Sequence, residues 1–248
     1  MAAASHRLPL PPNAVHVWIL DRAVAMPACA TLATMLSPKE LHRARTYLQE
    51  SHRQWFIARR GMLRHLLCAY LGCKSDSLCF GATPLGKPTL ERPASTGITF
   101  NVSQTSTMAV LAFSTDCHLG VDVQQWTAGL NSARIAAEVF SELEQSSLDA
   151  VSADATDRFY RIWTRKESLL KALGIGLSRH PKTYSTQDSA PRAKANWRAI
   201  YGGSPLRDWT CLDLDICRDG DVWCALAASL PGAVITLHQC RMPLSTFG

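Results

Sequence analysis

Four short segments gather the side chains that could do chemistry. Trp163-Thr164-Arg165-Lys166-Glu167-Ser168-Leu169-Leu170-Lys171 sets an acid between two lysines within one helix-like stretch. In Gly120-Val121-Asp122-Val123-Gln124, strand alternation places Asp122 and Gln124 side by side, opposite Val121 and Val123. Gly86-Lys87-Pro88 is a turn presenting a lysine, and Phe100-Asn101-Val102-Ser103-Gln104 offers an amide and a hydroxyl. Carboxylates hold hard cations or take up protons, and amines neutralise anions. Each segment also has a plain structural reading. Glu167 and Lys171 form an i,i+4 pair in the favourable order, worth roughly 0.2–0.5 kcal/mol to any exposed helix. Asp122 and Gln124 could be the wet face of an ordinary strand, and one lysine in a turn says little by itself.

The elements that must position these groups follow from hydrophobic spacing. Ile162, Leu169, Leu170 and Leu173 make one helical stripe, with Lys166, Glu167 and Lys171 away from its centre and Gly174 and Gly176 at its end. Gly97–Ser103 alternates as a half-buried strand, Gln104–Thr107 turns the chain, and Met108–Phe113 is a continuous apolar strand. The polar stretch from Ser178 to Lys194 reads as a loop. Leu212–Ile216 and Val222–Ala227 flank Arg218-Asp219-Gly220-Asp221, a hairpin signal. A duplication is also present. Ser37-Pro38-Lys39-Glu40 recurs 104 residues later as Ser141-Glu142-Leu143-Glu144, each a capping-box pattern after an apolar residue. A β-like run precedes each copy (Val15–Leu20, Leu119–Gln124). Phe56-Ile57 or Phe159-Tyr160 follows, and then a basic helix. Two similar α+β halves are therefore expected, residues 14–116 and 117–248, with the boundary near Ser114–Leu119 and a ligand cleft between them.

Composition bounds the rest. The chain has 248 residues, 47% hydrophobic and 19% charged, which excludes a disordered protein and needs no disulfide staple. Nine cysteines lie scattered without a C-x-x-C pair, the pattern of reduced thiols in a cytoplasmic protein. No run of about 18 apolar residues suggests a membrane span. Met1–Asn13 reads as a loose tail rather than a signal peptide. A net charge of +6 favours anionic partners. It leaves a nucleic-acid binder as one reading, but no zinc-finger spacing, basic helix run or RNP-like motif supports it.

In order and approximate spacing, G-K-P, F-N-x-S, G-V-D-x and W-x-x-K-E-x-x-x-K-A-x-G-x-G-L resemble the motifs of the 4′-phosphopantetheinyl transferases. The likeness is to the long, pseudo-dimeric surfactin-synthetase-activating type and runs from about Ser37 to Leu177. It implies two α+β halves about a pseudo-twofold axis. The implied reaction moves the phosphopantetheine arm of coenzyme A onto a serine of an apo acyl or peptidyl carrier protein, with Mg²⁺, releasing 3′,5′-ADP. By resemblance Asp122 and Glu167 are the metal ligands, with Gln124 beside them. Glu167 takes the serine proton, and Lys171 stabilises the developing phosphate charge. Coenzyme A would be held by Arg43, Arg53, Lys87, Pro88, Ser103, Gln104, Lys166 and Lys171, with Arg59 and Arg60 as either further contacts or solvated helix cations. One chain supplying both halves of a cleft implies a monomer that needs neither membrane nor nucleic acid.

The pattern breaks at two positions. The family usually has a second acid where this chain has Gln124, and a histidine where it has Gln104. An amide oxygen can still ligate a hard cation, but without charge. Those two glutamines motivate the alternative of a non-catalytic relative that binds coenzyme A or a carrier protein without transfer.

Overall fold

The computed structural model describes residues 7–149, 155–177, 180–189, 196–216 and 221–241. The first part of the chain runs β1 (Ala14–Asp21), α1 (Arg22–Ala25), α2 (Cys29–Ala33), α3 (Pro38–Arg45), α4 (Glu50–Leu71), β2 (Cys79–Ala82), β3 (Pro88–Arg92), β4 (Ile98–Gln104) and β5 (Met108–Thr115). The second runs β6 (Leu119–Gln125), α5 (Ser132–Val139), α6 (Glu142–Asp149), α7 (Ala155–Leu173), β7 (Tyr184–Asp188), β8 (Trp197–Tyr201), β9 (Ser204–Pro205), β10 (Thr210–Asp213), β11 (Val222–Ala228) and β12 (Val234–Gln239). The fold is α+β, as expected.

Two sheets pack face to face with a helix on each outer side. The first has the order β12-β1-β5-β4 and the second β10-β11-β6. Pleat alternation decides which residues go where. Ala109, Leu111 and Phe113 of β5 point to α4, joining Trp55, Leu66 and Leu67. Met108, Val110 and Ala112 point the other way and meet Val121, Val123 and Leu226 of the second sheet. On that sheet Ala225 and Ala227 turn outward onto Leu169 and Ala172 of α7. The order is therefore helix, sheet, sheet, helix, and β6 lies directly beneath α7.

The duplication reappears as a repeated local device. In each half the serine main-chain N–H donates to the glutamate three residues on, Ser37 to Glu40 and Ser141 to Glu144, both at 2.9 Å. Each glutamate then binds a cation of the following long helix, Arg64 Nε or Lys166 Nζ, both at 2.6 Å. A cap that also grips the next helix fixes the angle between them.

Several expectations need correction. Residues 7–13 of the presumed tail are anchored: Leu8 N–H donates to the Ala69 carbonyl at 2.9 Å, and Leu8 and Leu10 pack on the first core. Residues 1–6 lie outside the described ones. The polar stretch from Ser178 to Lys194 contains β7, antiparallel to β8, and its Ser185 and Thr186 are buried. Residues 178–179 and 190–194 of that stretch are likewise outside. Polar composition misled here because the buried hydroxyls are satisfied internally. β10 and β11 pair antiparallel as expected, while the turn residues 217–220 are not among those described. β12 pairs in parallel with β1, so a strand late in the second half completes the sheet of the first. His238 stacks on Trp18 across that pair, with centroids 4.3 Å apart. Among the described residues eight cysteines are free, and no helix is long and apolar enough to cross a membrane.

Candidate active site

Gly120 sets the distance between β6 and α7. A Cβ there would lie 2.0 Å from the Ser168 carbonyl oxygen and 2.4 Å from the Ala172 nitrogen. Only glycine lets the two backbones approach so closely, and two residues later Asp122 faces the same helix. Asp122 is 1% exposed. Its Oδ1 accepts from Ser103 Oγ at 2.7 Å and from Lys171 Nζ at 2.5 Å, and its Oδ2 accepts from Gln124 Nε2 at 2.8 Å.

The strand that supplies Ser103 is docked by its side chains. Asn101 Oδ1 accepts the Val121 N–H at 2.9 Å and Ser103 Oγ the Val123 N–H at 3.2 Å, so β4 satisfies the open edge of β6 around Asp122. Lys171 Nζ also donates to Ser103 Oγ at 3.0 Å. The F-N-x-S and G-V-D motifs therefore form one seam. Lys171 does not form the exposed pair with Glu167 that spacing alone allowed; its ion-pair partner is Asp122.

Glu167, one helical turn before Lys171, shares this site. Burial and then the nearby charge of Asp122 push its carboxyl up to about 7, with Lys171 pulling the other way. Two carboxylates that repel one another in a partly dry site fit a divalent cation, which would relieve that repulsion. Among the described residues no three His, Cys, Asp or Glu side chains are grouped to hold a metal. Asp122 and Glu167 supply two carboxylates, and Gln124, whose NH₂ donates to Asp122, would have to turn its amide oxygen to join them. With substrate phosphate and water completing it, such an oxygen set suits Mg²⁺.

Lys87 and Pro88 stand in the wall of an adjoining cavity of about 700 Å³, with Leu90, Phe100, His118 and Leu173. Lys87 Nζ donates to the carbonyls of Leu119 at 3.0 Å and Ala172 at 2.8 Å, tying β6 to the end of α7. Burial lowers its pKa to about 8. Ala172 and Leu173 in its wall follow Lys171 directly along α7. Thr99 in its wall and Ser103 lie about 13 Å apart along β4 at ~3.3 Å per residue.

The remaining expected residues divide. Arg43 lies over the Phe56 ring at 5.4 Å and Arg59 over Trp55 at 5.6 Å, two guanidiniums sharing one aromatic ledge. Burial lowers Arg59 to about 10, Tyr47 opposes this, and Arg43 and Arg60 add to it. Arg60 pairs with Glu40. Arg53 pairs instead with Glu50 at the exposed start of α4, and Gln104 is exposed at the end of β4. Among the described residues, none of these five is hydrogen bonded or ion-paired to Asp122 or Glu167.

Lys166 corrects the sequence reading. It was expected to hold coenzyme A, yet it is 0% exposed and donates to Glu144, to the Val139 carbonyl at 2.9 Å and to the Pro181 carbonyl at 3.1 Å. None of its N–H groups is left for a ligand. Lys166 lies on the buried side of α7, whereas Glu167 and Lys171 are only partly buried. Sequence reasoning also missed the struts on the other flank of α7. Arg165 pairs with Asp213 at 2.6 Å and Asp188 at 2.8 Å. Trp223 stacks on Tyr160 at 4.3 Å and donates to Asp157 at 2.8 Å. The one available signal was the density of arginine and aromatic residues on a helix thought to be half exposed.

Comparison with known proteins agrees with this geometry. Residues 118–227 match the model of the 4′-phosphopantetheinyl transferase superfamily, and residues 26–116 match that of the 4′-phosphopantetheinyl transferase N-terminal region. The chain is 32% identical over 180 residues to the 4′-phosphopantetheinyl transferase HetI of Nostoc, covering 69% of this chain and 76% of that protein. It is 29% identical to a phosphopantetheinyl transferase of Thraustochytrium, over 67% of this chain and 63% of the other, just under two thirds of its length. Against the 4′-phosphopantetheinyl transferase of Bacillus subtilis the identity is 27%, over 64% and 69%. The superfamily match contains both β6 and α7, the N-terminal match contains β4 with Ser103, and the chain belongs to the 4′-phosphopantetheinyl transferase family.

Proposed function

We propose that the protein transfers the 4′-phosphopantetheine arm of coenzyme A to a serine hydroxyl of an apo acyl or peptidyl carrier protein, with Mg²⁺, releasing 3′,5′-ADP. The observation that carries this reading is the convergence of Asp122 from β6 and Lys171 from α7 on Ser103, with Glu167 of α7 near enough to feel the charges of Asp122 and Lys171. The new bond joins the serine oxygen to the phosphorus that carries pantetheine, and the bond from that phosphorus to the bridging pyrophosphate oxygen breaks. The serine proton goes to Glu167, directly or through a water. Lys171, held between Ser103 and Asp122, is placed to turn its ammonium toward the leaving phosphate. Mg²⁺ held by Asp122, Glu167 and Gln124 would draw charge from the pyrophosphate. The cavity beside Lys87 suits another part of coenzyme A, and the Arg43–Arg59–Arg60 cluster suits a phosphate.

Asp122 is buried and triply hydrogen bonded, which preorganises the site, and most of the catalysis expected of phosphoryl transfer is positioning of this kind. The reading includes a division into halves at 116/117, a monomeric state and action in the cytoplasm. The test is to incubate the protein with coenzyme A, Mg²⁺ and a panel of apo carriers and to weigh the carriers. A gain equal to one phosphopantetheine arm, abolished by removing Mg²⁺, is expected. Coenzyme A binding without any mass gain would instead favour the non-catalytic reading, for which Gln124 in place of an acid is the motive.

A further inference from the structure

Glu167 is immediately preceded by two cations that never reach solvent. Arg165 is tied to Asp213 and Asp188, and Lys166 to Glu144. Successive residues on a helix point about 100° apart, so these two stays pull α7 from two directions and resist its turning about its own axis. The Lys166 stay is the more completely built. Both partners are 0% exposed. Glu144 Oε2 also accepts the Ser141 N–H at 2.9 Å and the Ser141 hydroxyl at 3.1 Å, while its Oε1 accepts the Thr186 N–H at 2.8 Å and the Thr186 hydroxyl at 3.1 Å. With the Val139 and Pro181 carbonyls on Lys166, one ion pair joins α5, α6, α7 and β7. A buried pair is seldom a net source of stability, since desolvation offsets the attraction; what it supplies is a single geometry.

We infer that Glu144 and Lys166 are a positioning pair that sets the roll of α7 and thereby aims Glu167 at Asp122. The inference rests on the proposed transferase reaction. The first half provides an internal contrast: Glu40 grips Arg64 by the same capping-box device, but no site carboxylate follows that arginine. A residue needed only for folding should behave like Arg64, and a positioning residue should not.

The test compares Glu144→Gln/Lys166→Met, which removes both charges and leaves neither buried alone, with Thr186→Val, which deletes one hydrogen bond to Glu144. Arg64→Met is the control. Three quantities are measured: melting temperature, kcat against KM for coenzyme A, and half-saturation by Mn²⁺ from electron paramagnetic resonance without substrate. The double variant should lose at least about tenfold in kcat with KM within about threefold, since a misplacement near 1 Å can cost ~10² in rate. Its Mn²⁺ half-saturation should rise by about as much as kcat falls. Thr186→Val should shift kcat and Mn²⁺ the same way by about twofold. Arg64→Met should lower the melting temperature with kcat and Mn²⁺ half-saturation unchanged, any effect passed through Glu40 to Arg60 falling on KM for coenzyme A. Folded variants with parental kcat and Mn²⁺ binding overturn the inference, as does an unfolded double variant beside an unchanged Thr186→Val. A parent protein that neither transfers the arm nor binds Mn²⁺ overturns the functional reading, and this inference with it.

Discussion

Adding one methyl group at Gly120 should disable the enzyme more than it unfolds it. The Cβ of Gly120→Ala would sit 2.0 Å from the Ser168 carbonyl oxygen, 2.4 Å from the Ala172 nitrogen and 2.9 Å from its Cα. All three are backbone atoms of α7, so no side chain can rotate away. Restoring an ordinary separation near 3.5 Å requires β6 and α7 to part by roughly 1.5 Å. Asp122 is two residues along β6, and Glu167 and Lys171 flank Ser168 on α7, so the opening falls between the groups that must share one substrate. Overpacking of this kind costs about 1–3 kcal/mol, or roughly 2–12 °C in melting temperature for a chain of this size. A displacement beyond 1 Å at reacting groups costs about 100-fold or more in rate. Gly120→Ala should therefore be recovered folded, melt lower, and transfer the arm at about one hundredth of the parental kcat. A mass-spectrometric time course on an apo carrier, paired with a thermal melt, measures both. A folded variant with kcat within about threefold of the parent would refute the claim that this backbone approach aligns the site.

Other outcomes follow from the same geometry. Glu167→Gln keeps the shape but cannot accept a proton, so kcat should fall by about 10²–10⁴ with the melting temperature nearly unchanged; a single-turnover assay reads this. Gln124→Glu replaces the amide that donates to Asp122 at 2.8 Å with a like charge. It should lower the melting temperature in EDTA, recover it in Mg²⁺, and reduce the Mg²⁺ concentration for half-maximal activity; an unchanged titration removes Gln124 from the site. Lys87 provides a pH signature. Its folded pKa of about 8 lies below the unfolded 10.5, so between those values this lysine is more protonated in the unfolded chain and its own contribution to stability rises with pH. The rise is of the order of 1–2 kcal/mol after discount for partial exposure, and is flat below about pH 8. Burial pushes Cys68, Cys211 and Cys240 each up to about 12, and these thiols work against it above about pH 9. The readout is therefore the difference between parent and Lys87→Met in urea melts from about pH 7.5 to 10.5. The parent should gain on the variant as pH rises, and a difference that does not change with pH refutes the assignment.

Much of the site could be read in advance because its chemistry is local. Asp122 and Gln124 alternate with Val121 and Val123 as the strand period requires, and Gly174 ends α7 with φ at 73°. The capping glutamates were visible as caps. What could not be read is where a long side chain goes once several elements enclose it. Lys166 sits in a motif that reads as ligand-binding, but its counter-charge is on another helix and its other acceptors are carbonyls, which leave no mark in the sequence. β7 was hidden for the same reason, since Ser185 and Thr186 are polar inward-facing residues whose partners lie on the α6 cap. The parallel pairing of β12 with β1 is a long-range event that no short window contains.

That pairing has a consequence for biogenesis. Translation delivers β1 long before the segment that will cover its outer edge, and β1 is rich in Val, Ile, Leu and Trp. A nascent chain therefore emerges with an apolar, unzipped border, the kind of surface that recruits other growing strands. Its protection depends on chaperone cover or on speed until residues 234–239 arrive, so yield in a heterologous host should depend more on lesions in that late strand than on its modest burial suggests.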